Sequence, residues 1–193
     1  MAIAKSQITL EHREISLKDR PSALYKISPK GTVPVLYIDK TNILEESFDI
    51  MIWAVNYSKC DWLDINKEEQ LSMVKVNDNE FKYWLDRYKY FERYPEKGKI
   101  FYQNECQSFL KRYNFILKNN KYFFGNKIQF IDVALFPFIR QCANVDIEWF
   151  NSTFENVNIW LDTIKKTNLF LSVMNKYKIW DQNQSGLIIK YLD

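Results

Sequence analysis

The spacing of apolar residues changes character once along this chain. Over residues 1–60 they come in short runs with mixed strand and helix signals, whereas beyond residue 65 they recur at the three- and four-residue intervals of helices. Residues 8–15 (ITLEHREI) carry β-branched side chains in partial alternation and read as a strand. Pro21 suits the opening of a short helix whose apolar side holds Ala23, Leu24 and Ile27. Ser28-Pro29-Lys30-Gly31 is turn chemistry. Residues 33–38 form a second strand, in which Pro34 fits either a cis bond or a strand irregular at that point. A short strand around Ile43 and Leu44 runs into Glu45-Glu46-Ser47, acidic residues and a hydroxyl of the kind that open helices. The helix over residues 48–57 then places Ile50, Trp53, Ala54 and Tyr57 on one face.

The remainder shows only the helical period. After a linker near residues 60–67, a long helix covers residues 68–93 and is ended by Tyr94-Pro95-Glu96-Lys97-Gly98. Residues 100–118 form another, with Tyr102, Cys106, Phe109, Leu110, Tyr113, Ile116 and Leu117 at helical spacing. Residues 130–142 are apolar enough that a helix there is stable only when buried on most sides, and Val157, Trp160, Leu161 and Ile164 mark the apolar face of a further one. The pattern predicts an α/β domain over residues 1–60 and an all-helical domain over 65–193.

Composition narrows the function classes. With 193 residues, 47% of them hydrophobic, the chain has ample material for a packed core. Its 27 basic and 24 acidic residues leave a formal charge of +3, too small and dispersed to recruit a polyanion, so a nucleic-acid partner is not expected. No apolar run approaches the roughly 20 residues of a membrane helix, and the polar N-terminus lacks a secretory core, which points to the cytoplasm and to no membrane partner. Cys60, Cys106 and Cys142 are widely spaced and His12 is the only histidine, so neither a metal site nor a disulfide framework is expected. Cys106 reads as a small buried residue and His12 as a surface residue of a strand.

Two ordered motifs stand in the first domain: Ser28-Pro29-Lys30-Gly31-Thr32-Val33-Pro34-Val35-Leu36, then Glu46-Ser47-Phe48-Asp49-Ile50. Together they resemble the N-terminal domain of glutathione transferases. Asp78-x-x-Phe81-Lys82 followed by Leu85-Asp86-Arg87-Tyr88-Lys89-Tyr90 is similar to a signature of one bacterial group of that family. Phe130-Ile131-Asp132-Val133-Ala134-Leu135-Phe136-Pro137 is similar to the family's buried helix. The ordered set covers nearly the whole chain and is far more specific than any one piece. It implies the glutathione transferase fold, a thioredoxin-like α/β domain, N-terminally truncated, followed by an all-α bundle. It also implies glutathione as co-substrate, no metal, a small electrophile as second partner and a homodimer.

Each motif then has a physical task. A cis bond between Val33 and Pro34 turns the Val33 backbone outward to pair with the extended cysteinyl unit of glutathione. Ser47 and Glu46 alone read as an N-cap and a first-turn acid, but beside Thr32-Val33-Pro34 the resemblance implies that Ser47, at a helix start, takes the γ-glutamyl carboxylate while Glu46 faces its ammonium. The resemblance places Lys30 against the glycine carboxylate, where a turn lysine otherwise reads as solvated. Asp132 bonds the backbone N–H three residues earlier as half of a capping box, whose other half is weakened because Gln129 stands where the family has Ser or Thr. Phe81, Trp84, Leu85 and Tyr88 are spaced as a core stripe, on a helix that in the family borders the electrophile pocket.

In the family a first strand and a Cys-Pro, Ser or Tyr motif precede the region matched here. The sequence as given opens on residues similar to the end of the first helix. The resemblance therefore implies that no catalytic residue lies within these 193 residues, and that the strand over 8–15 has no ladder with the strand over 33–38. Two functions remain in view: a glutathione transferase, and a non-catalytic binding or interaction module on the same fold.

Overall fold

In the computed structural model, which describes residues 1–191, helix α1 (Ala2–Lys5) leads into strand β1 (Leu10–His12), helix α2 (Ser22–Ile27), strands β2 (Leu36–Asp39) and β3 (Asn42–Leu44), and helix α3 (Ser47–Ser58). Helix α4 (Lys67–Val76) continues through a π-helical turn (Asn77–Phe81) into α5 (Lys82–Lys89). Then come α6 (Lys99–Ile116), α7 (Phe130–Ala143), α8 (Ile147–Thr153), α9 (Glu155–Lys165), α10 (Asn168–Ser172) and strand β4 (Leu187–Ile189). The order is the one expected from the sequence, a small α/β part followed by a helical one.

The chain divides into two compact units, Met1–Cys60 with the segment from Asn168 onward, and Asp61–Thr167. The segment after residue 167, grouped by its sequence pattern with the helical domain, is therefore part of the first unit. Backbone pairing explains this. Leu10, Glu11 and His12 pair antiparallel with Ile189, Ile188 and Leu187. Upstream, the Trp180 N–H donates to the Glu14 carbonyl at 2.8 Å, and the Gln182 side chain accepts from the Ser22 hydroxyl and the Ala23 N–H at 3.0 and 3.2 Å. Pairing with β4 limits the expected strand over 8–15 to Leu10–His12. Among the described residues β2 pairs only with β3, and no ladder joins β1 to β2.

The helical unit is organised around α7, whose Phe130, Ile131, Leu135, Ile139 and Cys142 are fully buried. Phe81, Leu85 and Tyr88 also face inward, so the stripe on the long helix is chiefly packing. The π-turn inside that helix interrupts the expected continuous period at Asn77–Phe81. Cys106 and Cys142 are buried in this unit, where the neighbouring Cys106 thiol and burial push the Cys142 thiol well up, so Cys142 is not a reactive thiolate. No described helix is long and apolar enough to cross a membrane.

Candidate functional site

In the first unit, the site residues expected from sequence stand on the turn before β2 and on the start of α3. The turn is closed by backbone bonds from Ser28 N–H to the Leu24 carbonyl (2.8 Å) and from Gly31 N–H to the Ser28 carbonyl (2.9 Å). Gly31 has a φ of +62°, and a Cβ there would collide with Tyr25 Cε1, so the Tyr25 ring rests directly on this backbone. Gly31→Ala is expected to cost about 1–2 kcal/mol for its left-handed conformation alone and to push the Tyr25 ring outward. Adding Tyr25→Ala should relieve the collision but not that backbone term. Chemical denaturation of the single and double variants separates the two contributions, and a double variant as stable as the native chain would contradict the backbone part.

The peptide between Val33 and Pro34 is cis. Val33 is 43% exposed, and among the described residues neither its N–H nor its carbonyl has a hydrogen-bond partner. An exposed, unpaired backbone unit of this kind can take up an extended peptide.

The adjacent acids before α3 diverge. Ser28 is fully buried and its hydroxyl donates to Glu45 Oε1 at 2.5 Å, which ties the turn to the approach to α3. Glu46 turns to solvent, with Lys30 Nζ 3.7 Å from its Oε1; both side chains are more than half exposed, so this ion pair adds little stability. Glu46 occupies the N-cap in extended conformation and its side chain makes no cap bond, and the exposed Ser47 hydroxyl has no hydrogen-bond partner among the described residues. Ser47 is thus not consumed as a helix cap. The helix start presents first-turn N–H groups and the positive end of the dipole, a setting that favours a carboxylate.

The structure therefore brings Lys30 to Glu46, beside Ser47, and sets Val33 and Pro34 in the loop that leaves the same turn. The roles of Tyr25, Ser28 and Glu45 at the site were not read from the sequence, in which Ser28 stood only as a turn residue and Glu45 only as an acid before the helix. Their only signal was the doubled acid before the helix. His12 differs from expectation: it is half-buried, its ring lies 4.7 Å from that of Tyr177, and Nε2 makes no hydrogen bond although Glu14 Oε2 is 3.5 Å away. No group of acidic, histidine or cysteine side chains among the described residues is placed to hold a metal ion.

Comparison with known proteins places these features in a family. The model of the glutathione S-transferase N-terminal domain matches residues 1–56, and that of the glutathione S-transferase C-terminal domain matches residues 79–169. No curated protein sequence matches significantly. Among solved structures, a glutathione transferase family member from Pseudomonas fluorescens with two glutathione bound superposes with a TM-score of 0.76 at 15% identity, over 89% of this chain and 84% of that one. BphK, a bacterial glutathione transferase in a ternary complex, gives 0.73 at 16% identity over 89% and 88%. Poplar glutathione transferase F1 gives 0.64 at 18% identity over 80% and 77%. At these identities the structural likeness establishes the fold.

Proposed function

The chain belongs to the glutathione S-transferase family, and from that premise we propose that it binds glutathione, the co-substrate that the family transfers to a small electrophile, on the turn before β2 and the start of α3. The observation that carries this reading is the start of α3, where the Glu46 side chain makes no cap bond, an exposed Ser47 follows it, and Lys30 lies 3.7 Å from Glu46. Ser47 and the first-turn N–H groups take the γ-glutamyl carboxylate, and Glu46 takes the ammonium. The open backbone of Val33, next to Pro34, pairs with the cysteinyl unit. Lys30 exchanges its weak surface pair for the glycine carboxylate. Family membership further suggests a cytoplasmic homodimer, which sedimentation velocity tests directly.

Titration calorimetry with glutathione tests the site. Ser47→Ala and Glu46→Gln are each expected to weaken binding about tenfold, the loss of one hydrogen bond to a charged group. Absence of binding by the native chain, or full affinity in both variants, would remove the assignment. Conjugation of an aryl halide above the uncatalysed rate would overturn the expectation that no catalytic residue lies within these residues, and its absence favours the non-catalytic binding reading.

A further inference from the structure

We infer that the helical unit carries a binding cleft for a flat aromatic carboxylate, gripped between Lys89 and Lys99. The cleft has a volume of about 350 Å³ and lies within this unit, so the inference stands or falls independently of the glutathione site. Its walls come from the end of α5 (Tyr88, Lys89), the residues just after it (Tyr90, Phe91), Lys99 at the start of α6 and Gln141 near the end of α7. That volume is at the small end of the range for ligand pockets and suits a one- or two-ring molecule.

The charge arrangement selects the ligand. Lys89 Nζ donates to Gln141 Oε1 at 2.6 Å and lies 4.9 Å from the Tyr90 ring centroid. Lys99 Nζ lies 5.6 Å from the Phe91 centroid and 5.8 Å from that of Tyr88. Both lysines are half-buried, and among the described residues neither pairs with a carboxylate. A neutral amide and ring faces are weaker partners for an ammonium than an anion, and the difference grows as water is excluded. A ligand carboxylate supplies the missing counter-charge to both cations.

No group among the described residues supplies that charge already. The Tyr88 phenol, pushed up to about 12 by burial, stays neutral at physiological pH, and it accepts from Gln103 Nε2 at 2.8 Å. Asp146, whose charge is felt at Tyr88, is engaged in capping α8, accepting from the Trp149 N–H at 2.9 Å. The exposed ring of Tyr90 and the half-buried ring of Phe91 line the cleft beside the cations, which favours a planar apolar body over a hydrated anion such as phosphate.

Calorimetric titration of the full chain with 2-naphthoate tests the inference, with 2-naphthamide and inorganic phosphate as comparison probes. The carboxylate is expected to bind at least tenfold more tightly than the amide, phosphate at equal ionic strength is expected not to displace it, and affinity should fall as salt is raised. Lys89→Met and Lys99→Met should each weaken 2-naphthoate about tenfold, whereas Lys111→Met, on an exposed position of α6, should leave it unchanged. Equal affinity for acid and amide, displacement by phosphate, no binding by the native chain, or undiminished affinity in the double variant Lys89→Met with Lys99→Met would each overturn it. The acid-to-amide comparison uses the unaltered protein and holds even if a lysine variant misfolds.

Discussion

Asp132→Ala is expected to lower the stability of the helical unit by about 3–6 kcal/mol, because it strips three dry donors of their acceptor at once. Asp132 is fully buried near the start of α7. Its Oδ2 accepts from the Gln129 N–H at 2.9 Å, and its Oδ1 from the Phe123 N–H at 3.1 Å and from Trp160 Nε1 at 2.8 Å. One carboxylate thereby joins the loop before α7, the helix start and the core tryptophan of α9. Gln129 cannot take over. Its side chain lies in the capping-box position over the backbone of Asp132, yet its Oε1 is buried without making a hydrogen bond of ordinary reach. Equilibrium denaturation measures the loss, and a cost below about 1 kcal/mol would show that the donors find water or other partners.

The same residue gives a pH dependence of definite sign. Burial raises the Asp132 carboxyl from 3.8 to about 6, against the opposing pull of its donors. The folded chain therefore holds this proton more tightly than the unfolded chain. The stabilisation from that preference is complete below pH 3.8 and is lost as pH rises through about 6. Asp132→Asn does not titrate in this window. The unfolding free energy of the native chain relative to that variant is thus expected to fall by about 2–3 kcal/mol between pH 4 and neutrality. A difference independent of pH would contradict the raised value.

How much of this was legible in the sequence depended on the range of the interaction concerned. The long helices and the apolar face of α9 follow from local period, and the expected Asp132 bond to residue 129 appears at 2.9 Å. The turn at Gly31 and the approach of Glu46-Ser47 to a helix start were also readable, because the residues themselves dictate those local conformations. Strand β4 was not. Leu187, Ile188 and Ile189 are too few to show alternation, and what makes them a strand is a partner at the other end of the chain. The burial of His12 against Tyr177 was hidden for the same reason. At the site, Ser28 and Glu45 each read as an ordinary turn or pre-helix residue. Their bond exists only after the intervening β2–β3 hairpin has folded them together.

Gln70 is the sharpest case of a role invisible to periodicity, and its replacement carries the second large expected effect. In the polar opening KEEQ of α4 it looks like one more solvated residue, yet it is fully buried. Its Nε2 donates to the Trp62 carbonyl at 2.9 Å and to the Ile65 carbonyl at 2.8 Å, while its Oε1 accepts from the Ile131 N–H at 3.0 Å. Two carbonyls on one side and an N–H on the other fix the orientation of the amide, since the flipped form would set donor against donor and acceptor against acceptors. Gln70→Ala leaves the Trp62 carbonyl and the Ile131 N–H without partners in dry surroundings, whereas exposed Ile65 lets water reach the third group. A loss of about 2–5 kcal/mol is expected in equilibrium denaturation. Gln70→Glu tests the polarity of the arrangement separately from its volume. The new carboxyl would keep the bond to Ile131 but, once ionised, would face two carbonyl oxygens, so its folded-state pKa would rise above the unfolded value. The variant is therefore expected to be most stable at low pH and to lose stability as pH climbs through that raised value. A Gln70→Glu protein as stable at neutral pH as the native chain would show that the amide donors at this position are dispensable.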